Sequence, residues 1–414
     1  MAILHGLLGI AVLLAIAVAV SEGRRLVPLR LVVAGLVLQL VLALILIKLP
    51  GARAVFLLLD QAVGALQKAT DAGTTVVFGY LGGGPLPFAE TQPNASFILA
   101  FRAFPLVLVI SAIASLLFYW GILQKVVAGF AWLLRRALGI GGALGVGAAV
   151  HVFVGMVEAP LLVRPYLKTM SRGELFALMS CGMAGIAGTV MVIYATILGP
   201  VIPDALGNIL IASIISTPAA LAIAAIMVPF KPDPEETGHL VMDDPPGSTM
   251  EAIVHGTSLG IGIIANILAM LVVLIALVTL VNLALGLLPL DGEAITLQRL
   301  FAYLFRPALW LIGVPWEETA AASTLMGTKT VLNEFVAYLH MAALPPEALS
   351  PRSRLIMTYA MCGFANFGSL GIMMGAMSAM APERRSDIVT LAPRSLLSGT
   401  LATLMSGAMV GMLA

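Results

Sequence analysis

Charged residues are scarce in this sequence. Only 10% of its 414 residues are Asp, Glu, Lys or Arg, whereas 60% are hydrophobic. Soluble domains carry about 25% charged residues, so this composition excludes a soluble globular protein. The net charge of +1 gives no reason to expect nucleic acid as a partner. Apolar runs long enough to cross about 30 Å of hydrocarbon recur along the chain, so the sequence predicts an all-α polytopic protein embedded in the lipid bilayer.

Cysteines and metal-binding motifs are equally scarce. Cys181 and Cys362 are the only two cysteines. Both lie in apolar stretches, where a small packing residue is a better interpretation than a disulfide. The sequence has no His-Glu-x-x-His motif and no glycine-rich phosphate loop, so we expect no metal and no other cofactor. Tyrosines within the apolar runs are interpreted as packing residues.

Basic residues are missing before the first apolar run, residues 1–21, but Arg24 and Arg25 follow it directly. This pattern predicts a retained first span with a periplasmic N-terminus rather than a cleaved signal peptide. With that orientation most Lys and Arg fall in cytoplasmic segments, as expected for a protein of the bacterial inner membrane.

The order of segments repeats in two halves. In each half the sequence pattern predicts a span, a re-entrant hairpin rich in Gly and Pro, a glycine-broken span and a further span. The predicted divisions are residues 1–95 (peripheral spans and an interfacial helix), 96–230 (first repeat), 231–257 (cytoplasmic linker) and 258–414 (second repeat). Within the repeats the expected elements are a third span at 97–123, hairpins at 140–170 and 308–338, and broken spans at 174–198 and 355–377. The motif Cys-Gly-x-Ala, which begins at Cys181 and again at Cys362, supports the correspondence.

The two repeats are expected to be inverted. A re-entrant hairpin does not cross the membrane, so each repeat makes three crossings and the second enters from the opposite face. The sequence therefore predicts about eight transmembrane helices with two hairpins in inverted repeats. This architecture is typical of secondary transporters, whose site lies near the midplane between the paired broken elements.

Two carboxylates interrupt the hairpins. An ionisable side chain at the bilayer centre costs about 2.5 to 3.5 kcal/mol, so Glu158 and Glu334 indicate a functional site. The alternatives are structural ion pairs, of Glu158 with Arg164 or another cation and of Glu334 with Lys329. Both alternatives remain open from the sequence.

Other polar residues are candidates for the same site. Asn366 and Ser369 are three residues apart, so we expect them on one face of a helix, where they can bind hydroxyl groups. The alternative is a contact between helices. His151 is either an inert buried histidine or a group that titrates near a buried carboxylate.

With these residues the chain resembles the concentrative nucleoside transporter family. The similarity extends over nearly all of the sequence. Its most specific stretches are residues 155–165, 313–318, 329–338 and 362–369. The resemblance implies eight spans, two re-entrant hairpins and a homotrimer with one transport site per subunit. It also implies elevator-type alternating access, in which the hairpins and broken helices move against a scaffold.

The resemblance also implies the substrate contacts. In the family a hairpin glutamate and an asparagine and serine on the broken helix hold the sugar, and the matching residues are Glu334, Asn366 and Ser369. Phe364 would line the same pocket. The family holds the base with a Gln-Thr/Ser-Glu tripeptide, which is Met156-Val157-Glu158 in this chain. Glu158 is retained but the other two polar contacts are absent, so the preferred base is not predicted.

The coupling-ion position departs from the family pattern as well. The resemblance implies that sodium-coupled members bind the ion with an asparagine side chain, a serine side chain and backbone oxygens. The matching positions are His151, Val154, Gly185 and Ile186. Both side-chain oxygens are absent, and imidazole is a poor ligand for sodium. We therefore hypothesise proton coupling, with His151 or Glu158 as the titrating group.

Together these features predict a secondary active symporter, not an enzyme, that imports nucleosides or ribose-bearing nucleoside-like solutes with protons. One alternative is a sodium-coupled nucleoside symporter with a rearranged ion site. An intramembrane hydrolase would need a nucleophile and a base within reach of each other, such as a serine near His151, and it has no need of two inverted halves. A channel would conduct without coupled accumulation.

Overall fold

The computed structural model describes residues 2–90, 96–231, 246–287 and 295–413. Within these ranges the chain forms eighteen α-helices and no strand, which confirms the all-α prediction. The first eleven helices are α1 Ala2–Ala19, α2 Leu29–Lys48, α3 Pro50–Phe78, α4 Leu99–Arg102, α5 Pro105–Tyr119, α6 Ile122–Leu138, α7 Gly142–Val150, α8 Glu158–Leu162, α9 Arg172–Ala184, α10 Gly188–Leu198 and α11 Ala205–Met227. The other seven are α12 Thr249–Leu285, α13 Leu297–Leu311, α14 Thr319–Val331, α15 Glu334–Ala343, α16 Pro351–Met361, α17 Phe367–Met380 and α18 Arg385–Leu413.

Several of these helices are long and apolar enough to cross a bilayer. Six such segments occur among the described residues: Leu29–Lys48, Leu99–Tyr119, Arg172–Leu198, Ala205–Met227, Thr249–Leu285 and Pro382–Leu413. Two shorter apolar helices, Ile3–Ala19 and Phe367–Met380, also occur. The expected total of eight crossings remains a prediction.

The helices follow one another in the same order in two halves. Helices α5 to α11 comprise a span, an amphipathic helix, two short helices joined by a turn, a helix pair interrupted in the middle and a final span. Helices α12 to α18 comprise the same series. The division of the chain at residues 95 and 230 is consistent with this order and remains a prediction, whereas residue 257 falls within α12.

Two boundaries that we expected from the sequence are wrong. The span expected at 97–123 ends at Tyr119, because Gly121 adopts a left-handed conformation (φ 75°) and the amphipathic helix α6 begins after it. The hairpin expected at 308–338 begins with α14 at Thr319, because residues 308–311 complete the amphipathic helix α13. The prediction relied on apolar composition, and composition alone did not separate these amphipathic helices from their neighbours.

The linker expected at 231–257 is shorter than predicted. Helix α12 already begins at Thr249, where the Ser248 hydroxyl accepts a hydrogen bond from the Glu251 amide at 3.1 Å. Such a cap satisfies one of the free amides of a helix start. Residues 232–245 of the expected linker lie outside the described residues.

Burial is concentrated in the broken spans and final spans. Helices α9 and α11 are almost entirely buried and α18 is buried from Ser398 to Gly411, whereas α12 is largely exposed along its 37 residues. Helix α12 contacts α5 closely at Gly256, where the Ser111 carbonyl oxygen lies 2.5 Å from the position that a Cβ would take. The hairpins and broken spans therefore lie together against the buried spans, with α12 and α5 beside them.

Candidate substrate and coupling site

The two interrupted spans cross each other at their breaks. Helix α9 ends at Ala184 and α10 begins at Gly188, while α16 ends at Met361 and α17 begins at Phe367. The Phe364 backbone amide donates a hydrogen bond to the Gly185 carbonyl oxygen at 3.1 Å. Free backbone groups of one break are thereby satisfied by the other, as the interior of a membrane protein requires.

Gly363 makes this crossing possible. A Cβ at this position would lie 2.8 Å from the Met183 carbonyl oxygen and 3.0 Å from that of Ala184. Only a residue without a side chain allows the two backbones to approach so closely. The glycine of the repeated Cys-Gly-x-Ala motif thus has a packing role in the second repeat.

Asparagine residues cap the two helices that begin at the site. The Asn333 side-chain oxygen accepts a hydrogen bond from the Val336 amide at 3.0 Å at the start of α15. The Asn366 side-chain oxygen accepts one from the Ser369 amide at 2.7 Å at the start of α17. Asn366 is extended (φ −145°, ψ 165°), so it precedes the helix and does not share a helical face with Ser369 as we expected. The cap nevertheless brings both residues to the same place.

Glu334 lies between two hydrogen-bond donors. Its Oε1 accepts from the Tyr194 hydroxyl at 2.7 Å, and its Oε2 accepts from the Asn366 side-chain nitrogen at 3.0 Å. The side chain is only 3% exposed. A carboxylate has about four acceptor sites, so both oxygens can accept further bonds from hydroxyl groups. The site therefore combines a buried acidic side chain with remaining acceptor capacity.

The expected alternative for Glu334, an ion pair with Lys329, does not occur. The Lys329 ammonium is fully buried but has no hydrogen-bond partner among the described residues. Glu334 is instead hydrogen-bonded by two neutral donors, the Tyr194 hydroxyl and the Asn366 amide.

One cavity joins this network to the first hairpin. All seven residues that we predicted to bind substrate line it: Met156, Val157, Glu158, Glu334, Phe364, Asn366 and Ser369. Sequence reasoning missed Tyr194, Thr189 on α10 and Asn266 on α12, which line the same cavity. An apolar cavity with a few convergent polar groups is the usual form of a small-molecule site.

Glu158 lines the cavity together with the residues of the turn that precedes it. It begins the short helix α8, and its carboxylate occupies the space beside Gly155 where a Cβ would otherwise lie. Met156 and Val157 precede it in the turn and present apolar side chains. This part of the cavity therefore offers one carboxylate among apolar groups.

The four candidate coupling residues gather behind the cavity. His151 ends α7, and its carbonyl oxygen lies 3.4 Å from the position of a Gly185 Cβ. The Gly188 amide donates to the Phe153 carbonyl oxygen at 3.1 Å, which holds Val154 next to the break that contains Ile186.

The His151 ring is enclosed. Its Cε1 atom lies 3.1 Å from the position of a Gly182 Cβ, and its Nε2 atom is buried without a hydrogen-bond partner among the described residues. Within the same part of the chain no group of three His, Cys, Asp or Glu residues could hold a metal ion. Among the described residues, the His151 imidazole is therefore not part of a metal-binding cluster.

Two pairs of short helices and two interrupted spans around one buried polar cavity are the arrangement of a secondary transporter. Family models agree with this class and cover most of the chain. The Na⁺ dependent nucleoside transporter C-terminus model matches residues 208–411, its N-terminus model matches residues 8–81, and the nucleoside recognition Gate model matches residues 100–201. The chain belongs to the concentrative nucleoside transporter family, and it is a transport protein rather than an enzyme.

Relatives of similar length support this assignment. An uncharacterized transporter of Haemophilus influenzae is 36% identical, and the alignment covers 100% of this chain and 98% of the relative. The putative nucleoside permease NupX of Escherichia coli K12 is 33% identical, with 99% of each chain covered. The structure of CNTnw in an inward-facing substrate-bound state has a TM-score of 0.90 and 34% identity, covering 100% of this chain and 98% of that one. The predicted all-α, elevator-type fold is therefore confirmed.

Proposed function

We propose that this protein is a symporter that imports nucleosides or nucleoside-like solutes carrying a ribose. The observation that carries the proposal is the hydrogen bond between Asn366 and Glu334, in a cavity that Ser369 also lines. These groups supply both donors and acceptors, which vicinal sugar hydroxyls need because each hydroxyl can donate and accept. The exposed edge of Phe364 provides an apolar wall next to them.

In this proposal the base makes fewer polar contacts than the sugar. Glu158 is the polar contact that we assign to it, while Met156 and Val157 offer only apolar surface. A buried polar edge of a base that finds no partner costs about 1 to 3 kcal/mol. We therefore expect modest discrimination among bases and stronger discrimination among sugars.

We further propose that the coupling ion is a proton. What supports this is the buried imidazole of His151 and the absence of any side chain at Gly185, so that two oxygen ligands are missing from the position. His151 or Glu158 would take up the proton. Sodium coupling through a rearranged set of backbone oxygens is the alternative, and the description of the family as Na⁺ dependent favours it.

Uptake into proteoliposomes tests both parts of the proposal. A panel of labelled nucleosides is offered under an inward proton gradient, an inward sodium gradient, or neither. We expect concentrative uptake with the proton gradient, abolished by a protonophore. Accumulation that follows sodium and ignores the proton gradient would overturn proton coupling but keep the substrate. No uptake of any nucleoside would overturn the substrate.

We also propose that the protein is a homotrimer in the inner membrane with a periplasmic N-terminus. The support is the long apolar face of α12, on which only four residues are buried: Ala252, Gly256, Gly260 and Val278. A face of this length fits a partner subunit or lipid. Native mass spectrometry of the purified protein tests the trimer, and protease accessibility of an N-terminal tag tests the orientation.

A further inference from the structure

A second groove lies away from the transport cavity, between the start of α2 and the end of α6. It has a volume of about 650 Å³. Its charged rim is formed by Arg30, Arg135 and Arg136, and Trp132 lies beside them. No carboxylate lines the groove within the described part of the chain. Three positive charges thus face one opening.

The three arginines differ from the other basic residues around α1 and α18. Arg172 pairs with Glu22 and Asp387, and Arg394 pairs with Glu22. In contrast, Arg30, Arg135 and Arg136 form no ion pair and no side-chain hydrogen bond with any described residue. Guanidinium groups bind phosphate oxygens through two parallel hydrogen bonds, so unpaired arginines at one opening suit a phosphate.

The floor of the groove is apolar. Leu31, Leu138 and Ile140 line it and are themselves buried. The stem of Arg135 packs over Gly145, with its Cγ 2.6 Å from the position of a Cβ, and the residue lines the groove. A free inorganic phosphate has no apolar part that could pack on this floor, whereas the glycerol and acyl chains of a lipid can pack on it.

The residues around the groove are typical of the level of lipid headgroups. Arg30 is in the first turn of the apolar span α2, so it marks the place where the chain enters the hydrocarbon. Trp132 lies on the amphipathic helix α6 and is 65% exposed. Exposed Trp together with Arg is typical of the membrane–water interface, and basic pockets between helices at this level suit anionic headgroups.

We propose that this groove binds the phosphate headgroup of an anionic phospholipid. Arg30, Arg135 and Arg136 bind the phosphate oxygens, and the first carbons of the acyl chains lie on the apolar floor. Because Gly139 and Ile140 join α6 directly to α7 of the first hairpin, the lipid would contact the element that leads to the transport site.

Native mass spectrometry of the full-length protein tests the proposal. The protein is incubated with phosphatidylglycerol or with phosphatidylcholine of the same acyl chains, and the bound lipid is counted. We expect phosphatidylglycerol to bind at least about tenfold more tightly, because three basic residues at the surface favour an anionic lipid. Equal binding of the two lipids by the unaltered protein would overturn the proposal without any mutagenesis.

Variants locate the binding. Replacing all three arginines, R30Q with R135Q and R136Q, should abolish the preference for phosphatidylglycerol. Lys125→Gln removes one exposed charge from the other end of α6 and should leave the preference intact. A preference that survives the triple replacement, or that Lys125→Gln removes as well, would contradict the proposed site. A thermal unfolding profile confirms that each variant is folded.

A competition experiment with inorganic phosphate distinguishes a site for a lipid headgroup from a site for a soluble anion. Phosphate added at millimolar concentration should not displace the bound lipid, because it lacks the contacts with the floor. Displacement by phosphate, with no requirement for acyl chains, would show a soluble-anion site and overturn the lipid assignment.

Discussion

The hydroxyl of Tyr194 donates a hydrogen bond of 2.7 Å to the carboxylate of Glu334, linking the first repeat to the second hairpin. Tyr194 is in α10 and Glu334 begins α15, 140 residues later in the chain. The tyrosine ring contacts those of Phe335 and Tyr338, with centroid distances of 6.0 and 5.3 Å. The carboxylate is therefore oriented by a side chain that is itself held by packing, which is the arrangement expected of a preorganised site.

Removing only this hydroxyl should weaken binding. Tyr194→Phe keeps the ring contacts but frees the Glu334 carboxylate to turn, so we expect nucleoside affinity to fall by about three- to tenfold. Isothermal titration calorimetry of the purified protein measures the change. The matched control is Tyr338→Phe, because the Tyr338 hydroxyl donates to the Thr358 carbonyl oxygen and not to Glu334. Unchanged or tighter binding by Tyr194→Phe would show that the hydroxyl does not position the carboxylate.

Removing the charge of Glu334 should have a larger effect. A hydrogen bond to a charged group contributes about 1.5 to 3 kcal/mol, so we expect Glu334→Gln to weaken ribonucleoside binding by about ten- to a hundredfold. Glu347→Gln, an exposed site after α15, is the control. Oligomeric state is measured on the same samples and should not change. Wild-type affinity in Glu334→Gln would mean that the sugar does not contact this carboxylate.

Restoring two side-chain oxygens should create a response to sodium. In the double variant His151→Asn with Gly185→Ser, the serine fits because a Cβ at position 185 meets no atom closer than 3.4 Å. Sodium prefers such oxygen ligands. We expect a sodium gradient to stimulate uptake several-fold in the double variant and not in the unaltered protein.

The matched control for this experiment is His151→Asn with Gly185→Ala, which has the same size at position 185 but no hydroxyl. If the unaltered protein already responds fully to sodium, its ion site has been assembled from other oxygens and the proton hypothesis is wrong.

The close approach of the two broken spans can be tested by measuring the thermal stability of variants. In Gly363→Ala the new Cβ would overlap the Met183 carbonyl oxygen and, at 2.9 Å, the Thr403 methyl group. Overpacking of this kind typically costs about 1 to 3 kcal/mol, so we expect a clearly lower midpoint of thermal unfolding. Gly371→Ala on α17 is the control, since no atom lies within 4 Å of its Cβ position. Equal midpoints for the two variants would show that the breaks do not require this close approach.

Sequence reasoning predicted the candidate substrate residues, all of which line one cavity, where a local pattern marked them. Glu158 and Glu334 are detectable because carboxylates are rare in apolar runs, and Asn366 and Ser369 because they follow a glycine-rich break. The spacing of Asn366 and Ser369 was informative but its structural interpretation was wrong. A separation of three fits both a shared helical face and a helix cap, and only the backbone angles of Asn366 distinguish the two.

Other features depend on contacts that no local pattern contains. Tyr194 resembles any aromatic residue in an apolar helix, and its role exists only because α10 meets α15 in the fold. Helices α6 and α13 were missed because their polar residues lie near apolar neighbours on both sides. The turn that separates α6 from α5 depends on a single left-handed glycine, Gly121.

The paired state of Glu334 has a consequence for the return stroke of the transport cycle. An elevator that has released its cargo must carry the vacant site back through a low-dielectric region, where a bare carboxylate would be strongly disfavoured. Tyr194 and Asn366 donate hydrogen bonds to the two carboxylate oxygens of Glu334. Such donors replace part of the hydration of the carboxylate, so they lower the free-energy cost of its burial in the unloaded carrier.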